Sequence, residues 1–526
     1  MFDKRSNILK GFFQTEKTMP LALVLVSGIL LVLAFPKISW SFLAWIAFGP
    51  LFIALDNKSP RERFKLGYLF GIIYSLGVFY WVTYSMRYYG GLGLLTSCAI
   101  LLLLVFYLAL YTGVFAWLWG AIPPQGLYAL LWAPSIWVSL EYARAHLLTG
   151  FPWELLGHSQ QNNLTVIQIA EFTGDYGISF LVILVNQCLY QLFLRGDPFR
   201  GWAKKWKEAL IGISLMSLTI SFGLAALKEQ KDRDEKAPYI KAAVIQGNID
   251  QSIKWNPAFQ GKTIETYKQL TSGFLSESPD IVIWPETAVP FYFLNDSRFS
   301  PQLFQLTRES GGYLLFGSPA AETRGGVMHF FNRAYLLSPE GKVSHYDKVH
   351  LVPFGEYVPL KRFLPFVGKM VEAIGDFSPG KENKGLSHPK GKLGVLICFE
   401  TIFSEISRAY KKEGSQLLVN LTNDAWFGKT SAPHQHLSIL TFRAIENRLW
   451  IARAANTGIS AFIDSTGQIV KSFPLFQSGG IYAKIPLRSE ETFYCRYGDL
   501  LVLFCCLILL GGLALAESKH KRGKRP

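Results

Sequence analysis

Cysteine is scarce in this chain, which has 6 among its 526 residues. Cys398 is the only one between Cys188 and Cys495, so no cysteine lies near it in the sequence to form a disulfide. A single cysteine of this kind is most often a small, buried hydrophobic side chain. The residues around Cys398 must therefore decide whether it has a chemical role.

Clusters that would bind metals, phosphates or nucleic acids are also lacking. His434 and His436 have the spacing of a metal-binding pair, but no cysteine or carboxylate cluster with ligand spacing accompanies them. The glycine-rich segment 90–93 lacks the flanking strand and helix of a phosphate-binding loop. Although the net charge is +15, basic and aromatic residues do not cluster as they do in nucleic-acid-binding proteins. We therefore expect no metal, no cofactor and no nucleic acid.

Long hydrophobic stretches are what the chain has in excess, since half of its residues are hydrophobic. A helix needs about 20 apolar residues to cross a bilayer. Seven stretches precede a long polar insert and one follows it, which predicts eight transmembrane helices; the two shortest could instead be tilted partners or a re-entrant hairpin. No small-x-small site follows the first stretch, so we do not expect a cleavable signal peptide. The stretches are 20–35, 40–55, 66–86, 92–120, 127–142, 176–194, 209–227 and 500–516.

Lysine and arginine are concentrated in alternate loops. The basic segments 4–17, 58–65, 195–207 and 519–525 all fall on one side of a chain with eight spans. Positive loops face the cytoplasm, so we expect both termini there and the insert on the outer face. Most of the net positive charge then reflects topology.

The insert is predicted to be an independent α/β domain. It follows the charged linker 228–236, and short apolar runs alternate in it with amphipathic segments, which predicts a sheet covered by helices. We expect a membrane domain at 1–227 with spans one to seven, the outer domain at 228–497, and a last span with a basic tail at 498–526. The predicted strands are 241–246, 281–284, 313–317, 334–338, 393–397, 417–421, 452–456, 460–464 and 481–485, and the helices are 257–276, 301–310, 402–413 and 436–448.

Three chemically useful side chains follow apolar runs of the insert. Pro285 stops strand pairing, which places Glu286 just beyond the sheet edge. Cys398 ends the run 393–397, and the helix predicted after it would lower the pKa of the thiol. Lys348 follows another strand-like run. A carboxylate base, a cation and a thiol suffice for acyl transfer, although each alone is more often a solvated charge or a buried side chain.

These residues lie in motifs that resemble the nitrilase superfamily. Trp284-Pro285-Glu286, the Asp347-Lys348 pair with 350–356 after it, and Cys398-Phe399-Glu400 match its three motifs in order and spacing. The segments 149–153, 157–160 and 246–255 resemble the bacterial apolipoprotein N-acyltransferases, and this resemblance covers essentially the whole chain. It implies a polytopic helical membrane domain with eight transmembrane helices plus an α/β nitrilase-like αββα sandwich that is periplasmic and catalytic.

The resemblance implies a role for each motif residue. Glu286 would be the general base, Lys348 would stabilise the oxyanion, and Cys398 would attack a phospholipid ester to form a thioester. The α-amino group of the N-terminal diacylglyceryl-cysteine of an apolipoprotein would then take the acyl chain. Further residues implied to shape the site or line a substrate path are Glu356, Glu400, Asn332, Phe399, Trp255, Trp153 and Gly150. The family often has tyrosine where this chain has Phe399, so any role of that hydroxyl is absent or moved, while packing by the ring can persist.

The implied partners are a phospholipid donor, phosphatidylethanolamine by resemblance, and a diacylated apolipoprotein acceptor in the bacterial inner membrane, with the protein as a monomer. The alternative is a membrane-tethered nitrilase-type amidohydrolase that uses water as acceptor; the many spans argue against it. The segment 353–380 is expected to form a lid whose apolar tip, 363–367, enters lipid. Arg443, Glu446 and Arg448 are interpreted as charges on a helix flank.

Overall fold

The computed structural model describes residues 18–122, 127–194, 198–357, 377–382 and 384–522. These residues form two compact units. The first contains the described residues up to Thr83, Leu92–Leu224 and those from Gly498 onward, and the second contains Tyr84–Gly91 and Ala225–Tyr497. The predicted lid tip lies outside the described residues.

The first unit is helical. Four of the described helices are long and apolar enough to cross a membrane, and a pair bent by 50°, Pro60–Phe79 with Val82–Tyr88, would make a fifth. The stretch 40–55 does not form one long helix, because it breaks into the 3-10 helix Ser41–Trp45 and the α-helix Phe48–Leu55. The four helices are Leu94–Trp119, Tyr176–Phe193, Ala209–Lys236 and Leu500–Ser518, and the remaining main helices are Thr18–Ala34 and Leu127–His146.

The helix Pro60–Phe79 illustrates how local sequence and packing agree in this unit. Ser59 and Glu62 form a reciprocal capping box, and Pro60 occupies the first helical position, where its missing N–H costs nothing. Gly71 faces the helix Leu94–Trp119 so closely that a Cβ atom would lie 2.0 Å from Thr112 Oγ1. A small residue is therefore required there for the two apolar helices to pack.

The second unit contains two six-stranded sheets. One has the order β12-β1-β2-β3-β4-β5 and the other β11-β10-β9-β8-β7-β6; β1 to β3 and β7 to β9 are parallel, and the outer pairs are antiparallel. The strands are β1 Tyr239–Gln246, β2 Ile281–Ile283, β3 Tyr313–Arg324, β4 Val327–Leu337, β5 Val343–Asp347, β6 Leu386–His388, β7 Gly391–Ile397, β8 Leu417–Thr422, β9 Ile451–Ala455, β10 Ser460–Ile463, β11 Ile469–Phe473 and β12 Gly479–Pro486.

The two sheets pack against each other and are flanked by helices. Strands β1 and β9 are in contact across the sheets, helix Pro257–Ser272 packs on β1, and helix Ser404–Lys412 packs on β7. The other main helices of this unit are Ser300–Ser310 and Ala432–Asn447. These layers fit the predicted αββα sandwich. A core on the first sheet includes Trp284, Phe316 and Tyr335, whose rings lie in contact.

All nine predicted strands are present, and the differences have simple causes. Strands β3 and β4 run further than predicted because they form a hairpin whose two-residue turn, Gly325-Gly326, has positive φ at both positions. Strands β5, β6 and β11 were not predicted, since they are short and largely polar or exposed. The helix predicted at 402–413 begins at Ser404, and Cys398–Ile402 form a 3-10 helix.

Candidate active site

Glu286 is placed by a tight connection at the end of β2. Trp284 N donates to Leu315 O at 2.8 Å, and Gly317 N donates to Pro285 O at 3.2 Å, so the chain stays close to β3 after the strand ends. A Cβ atom at Gly317 would lie 2.7 Å from Glu286 Cα, so only glycine allows this approach. The predicted position of Glu286 just beyond the strand is therefore observed.

Lys348 follows β5 and points into a buried group of polar side chains. Its Nζ lies 2.9 Å from Glu356 Oε2 and 3.8 Å from Glu286 Oε1. Asn332 Nδ2 donates to Glu286 Oε1 and to Glu356 Oε1, both at 2.8 Å. We call these four residues, Glu286, Asn332, Lys348 and Glu356, the reactive cluster.

Burial and charge shift the pKa values of the reactive cluster in useful directions. Burial raises the pKa of Glu286, which makes its carboxyl a better proton acceptor than an exposed glutamate. Burial alone would lower the pKa of Lys348, but the carboxylates of Glu356 and Glu286 raise it above the ordinary value. Lys348 therefore stays positively charged, as an oxyanion stabiliser must.

Cys398 directly follows β7, and its backbone is strained. Its φ is +51°, which non-glycine residues rarely adopt. The carbonyl oxygen of Cys398 accepts a hydrogen bond from Thr401 Oγ1 at 3.0 Å and lies 3.1 Å from His436 Nε2. These contacts hold a conformation that costs energy, as is common for residues at functional sites.

The expectation that a helix start lowers the pKa of the thiol is wrong. Cys398 is 8% exposed, and burial, followed by the charge of Glu286, raises its pKa, while Lys348 opposes the shift. The element after Cys398 is a short 3-10 helix, which provides no long row of N–H groups. The resting side chain is thus a thiol, and a nearby base is needed to remove its proton.

A second buried network lies behind Cys398 and was not predicted. Arg453 donates to Asp424 Oδ2 and to Asn420 Oδ1, both at 2.6 Å, and His436 Nδ1 lies 3.0 Å from Asp424 Oδ1. We call Asn420, Asp424, His436 and Arg453 the support network. Asp424 follows β8, the parallel neighbour of β7, and this fourth strand exit was the available signal.

The charges of the support network are mutually compensated. Burial would raise the pKa of Asp424, but Arg453 and His436 lower it to about 2. Burial and Arg453 lower the pKa of His436, so its ring is neutral at pH 7. The network therefore holds one charge state and positions the Cys398 backbone through His436.

Glu400 joins the segment after Lys348 to the strand before Cys398. Its Oε1 accepts from Tyr346 Oη at 2.8 Å and from Val349 N at 2.7 Å, and its Oε2 accepts from Ile397 N at 2.7 Å. Burial raises the pKa of Glu400 to about 7, although these donors favour its charged form. Glu400 therefore holds the chain segments that carry Lys348 and Cys398 in place.

The remaining predicted residues fall into both units. Phe399 packs its ring 5.4 Å from the ring of Phe403. Trp255 ends the short helix Gln251–Lys254 and is half-buried. Gly150 and Trp153 belong to the first unit, where Trp153 is 1% exposed and its ring lies 5.0 Å from that of Trp81.

The interpretation of Arg443 and Glu446 as flank charges is wrong. Both are fully buried on the helix Ala432–Asn447, and they form an ion pair of 3.0 Å. Arg448 ends this helix, is also buried, and donates to Ser465 O at 3.0 Å. The helix is buried on all its faces, which the alternation of charged and apolar residues did not indicate.

Known proteins resemble both halves of the chain. Residues 27–188 match the family model described as apolipoprotein N-acyltransferase N-terminal domain, and residues 241–493 match the carbon-nitrogen hydrolase model. The apolipoprotein N-acyltransferase of Geobacter metallireducens is 46% identical over 486 residues, which is 92% of each chain. That of Methylococcus capsulatus is 33% identical over 501 residues, 93% of this chain and 94% of its own.

Proposed function

The chain belongs to the apolipoprotein N-acyltransferase family, and from this premise we propose which residues carry out the N-acylation of lipoproteins, and how. It is an acyltransferase with a carbon-nitrogen hydrolase domain. In our proposal an acyl chain passes from a membrane phospholipid to Cys398 and then to the α-amino group of the N-terminal diacylglyceryl-cysteine of an apolipoprotein. Such a covalent intermediate divides one difficult transfer into two easier ones.

In the first transfer, Glu286 takes the proton of the Cys398 thiol, and the thiolate attacks the ester carbonyl carbon of the phospholipid. The charge that develops on the carbonyl oxygen faces the ammonium group of Lys348. The bond between the acyl carbon and the glycerol oxygen then breaks. Glu286 returns its proton to that oxygen, so a lysophospholipid leaves and a thioester remains on Cys398.

In the second transfer, the neutral α-amino group of the lipoprotein attacks the thioester carbonyl carbon. Glu286 takes one proton from the nitrogen, the carbon–sulfur bond breaks, and the Cys398 thiolate regains a proton from Glu286. Asn332 and Glu356 orient Glu286 and Lys348 in both transfers through the hydrogen bonds of the reactive cluster. Phe399, Glu400 and Trp255 shape the site, and Trp153 and Gly150 are substrate-path residues of the first unit by the family resemblance.

The observation that carries this assignment is that the protonated thiol of Cys398 interacts with a glutamate of raised pKa, Glu286, and with the ammonium group of Lys348. Cys398 interacts electrostatically with both Glu286 and Lys348, and Lys348 lies 3.8 Å from Glu286. A thiol whose pKa is raised is inert without a base. Glu286 can therefore serve as the base, and Lys348 as the oxyanion stabiliser, for the same thiol.

We place the protein in the bacterial inner membrane as a monomer with eight spans, with 1–227 and 498–526 as its membrane parts and both termini in the cytoplasm. The alternation of basic segments along the sequence supports this topology. The domain 228–497 would then be periplasmic, and phosphatidylethanolamine would be the donor. All six cysteines are free thiols, and only Cys398 and Cys495 belong to this domain, which limits disulfide formation in an oxidising compartment.

The test is mass spectrometry of the full-length protein after incubation with phosphatidylethanolamine. We expect an acyl adduct on the peptide that contains Cys398, no adduct in Cys398→Ala, and an unchanged adduct in Cys495→Ala, the matched control. A diacylated lipopeptide should then remove the adduct and become N-acylated. Release of free fatty acid instead would identify an amidohydrolase-like use of water, and an active preparation without the adduct would refute the mechanism.

A further inference from the structure

A second lysine, Lys254, lies at the reactive cluster, and the two transfers described above give it no part. It belongs to the short helix Gln251–Lys254 that follows β1, and it is 1% exposed. Its Nζ donates to Glu286 O at 3.2 Å and to Thr287 Oγ1 at 2.5 Å. Burial lowers the pKa of its ammonium group to about 8, although the negative charges of Glu286 and Cys398 oppose this shift, so the group is positively charged at neutral pH. A buried ammonium group at this position calls for an explanation, because burying it is costly.

The first consequence of these contacts is geometric. Thr287 has a φ of +47°, a conformation that is costly for a β-branched residue. Lys254 binds the carbonyl of Glu286 and the hydroxyl of Thr287, so it holds the two residues of this strained turn from one point. The turn in turn directs the carboxylate of Glu286 toward Asn332 and Lys348.

The second consequence is electrostatic. Asp424 is compensated by Arg453, and Glu400 is held by backbone N–H groups and Tyr346. At the reactive cluster, the carboxylates of Glu286 and Glu356 are then matched by the ammonium groups of Lys348 and Lys254. Without Lys254 the buried site would carry one unbalanced negative charge, and a thiolate would add to the repulsion. The ionisable groups that interact with the thiol or with Lys348 beside it are Lys254, Glu286, Lys348, Glu356, Glu400 and Asp424.

We propose that Lys254 is a positioning residue of the acyl-transfer site that holds the Glu286–Thr287 turn and supplies the second positive charge against which the Cys398 thiolate forms. This inference rests on the proposed function only for its role in acyl transfer. The effect on the thiol is independent of any acyl donor. Lys254 should therefore matter in both transfers, because the thiolate is created in the first and the sulfur leaves as a thiolate in the second.

The first experiment measures the rate at which iodoacetamide alkylates Cys398 in the full-length protein between pH 6 and 10, followed on the peptide that contains Cys398. Lys254→Met keeps the length of the side chain and removes the charge. We expect alkylation at pH 7, where Lys254 is charged, to slow about tenfold, which corresponds to a displacement of that part of the profile by about one pH unit. The control, Lys262→Met, removes an exposed lysine from the next helix and should change nothing. An unchanged profile in Lys254→Met would overturn the inference.

Two further variants separate charge from geometry. Lys254→Arg keeps the charge, so its alkylation profile should stay within about twofold of the parent. Thr287→Val removes one hydrogen-bond partner without changing any charge, so it should slow acylation without moving the profile. Thermal unfolding shows whether each variant is folded. If the role of Lys254 were purely structural, Lys254→Met and Thr287→Val would both slow acylation without shifting the pH profile of alkylation. This result would contradict the proposal.

The second experiment measures acyl-adduct formation from phosphatidylethanolamine and its removal by a diacylated lipopeptide. In Lys254→Met we expect adduct formation to slow at least tenfold and removal of a preformed adduct to slow as well. Unchanged adduct formation would refute the role in thiolate formation. If the unmodified protein forms no adduct, the proposed function fails. The alkylation profiles still test the effect of Lys254 on the thiol, because they need no acyl donor.

Discussion

The second unit contains two buried polar groups beside Cys398 that differ in how completely their charges are satisfied. In the support network, Arg453 and Asp424 form short hydrogen bonds, and the pKa of Asp424 is lowered to about 2. In the reactive cluster, Lys348 lies 3.8 Å from Glu286, Asn332 Oδ1 has no hydrogen-bond partner among the described residues, and the pKa of Glu286 is raised.

The difference separates support from chemistry. A group that is fully paired at one charge state resists proton transfer, so it is suited to holding the nucleophile in a strained conformation. A carboxyl with a raised pKa can gain and lose a proton at moderate cost. Variants of the two groups should therefore affect different properties, and the following predictions test this separation.

The largest effect is expected from Glu286→Gln. Glutamine still accepts the hydrogen bond from Asn332 but cannot take the thiol proton, so acyl-adduct formation should slow about 10³-fold, or ~4 kcal/mol. The midpoint of thermal unfolding should change little. The measurement is the initial rate of adduct formation, with Glu265→Gln on an exposed helix face as the control. A loss of less than about tenfold would remove Glu286 from its role as base.

Arg453→Met should break the support network and affect stability most. It leaves Asp424 buried without its cation, which costs about 3 kcal/mol of unfolding free energy. Denaturant unfolding of the purified protein measures this loss, and Arg308→Met, at an exposed position, should stay within about 0.5 kcal/mol. At temperatures where the variant is folded, adduct formation should fall less than in Glu286→Gln. The reverse order would show that the two groups are not separable.

Asn332→Leu should move the pH dependence of the first transfer. The amide of Asn332 lowers the pKa of Glu286 against the effect of burial, so its removal raises that pKa further. Since the base must be deprotonated, the rise of the acylation rate with pH should shift to higher pH, and the rate on the acidic side of the profile should fall about tenfold. Asn295→Leu, at an exposed position, is the control. A shift to lower pH would contradict the assignment.

The smallest effect is expected at Phe399. Phe399→Leu removes ring contacts with Phe403 and His350 and should cost about 1 kcal/mol of stability, with acylation slowed only severalfold. Phe399→Tyr keeps the ring and should stay close to the parent. If only Phe399→Tyr raised the rate strongly, the hydroxyl that this chain lacks would have a catalytic role.

Much of the site was predictable because strand ends are local features. Apolar runs followed by Pro285-Glu286, by Lys348 and by Cys398 predicted where these residues leave the sheets, and the structure brings Glu286 and Lys348 together as expected. The support network was not predicted, since Asp424, His436 and Arg453 come from a strand exit, a helix and a strand interior. Nothing in their sequence spacing indicates that they share one buried pocket.

The helix Ala432–Asn447 shows why local patterns fail in the interior. Arg443 and Glu446 are three residues apart, a spacing typical of an exposed helix flank, yet both are buried as a pair. Spacing reports which residues share a face of the helix. It does not report whether that face meets water or another layer of protein.

The sequence by itself determined the order of the motifs, the strand exits that present Glu286, Lys348 and Cys398, and the hydrophobic stretches of the two ends, because these depend on residues close together in the chain. Only the tertiary structure decided the proton states of the site and the backbone strain at Cys398. A pKa depends on burial and on charges that distant segments bring within a few ångströms. The thiol that a local argument makes acidic is therefore, in the folded protein, a weak acid that depends on its neighbours.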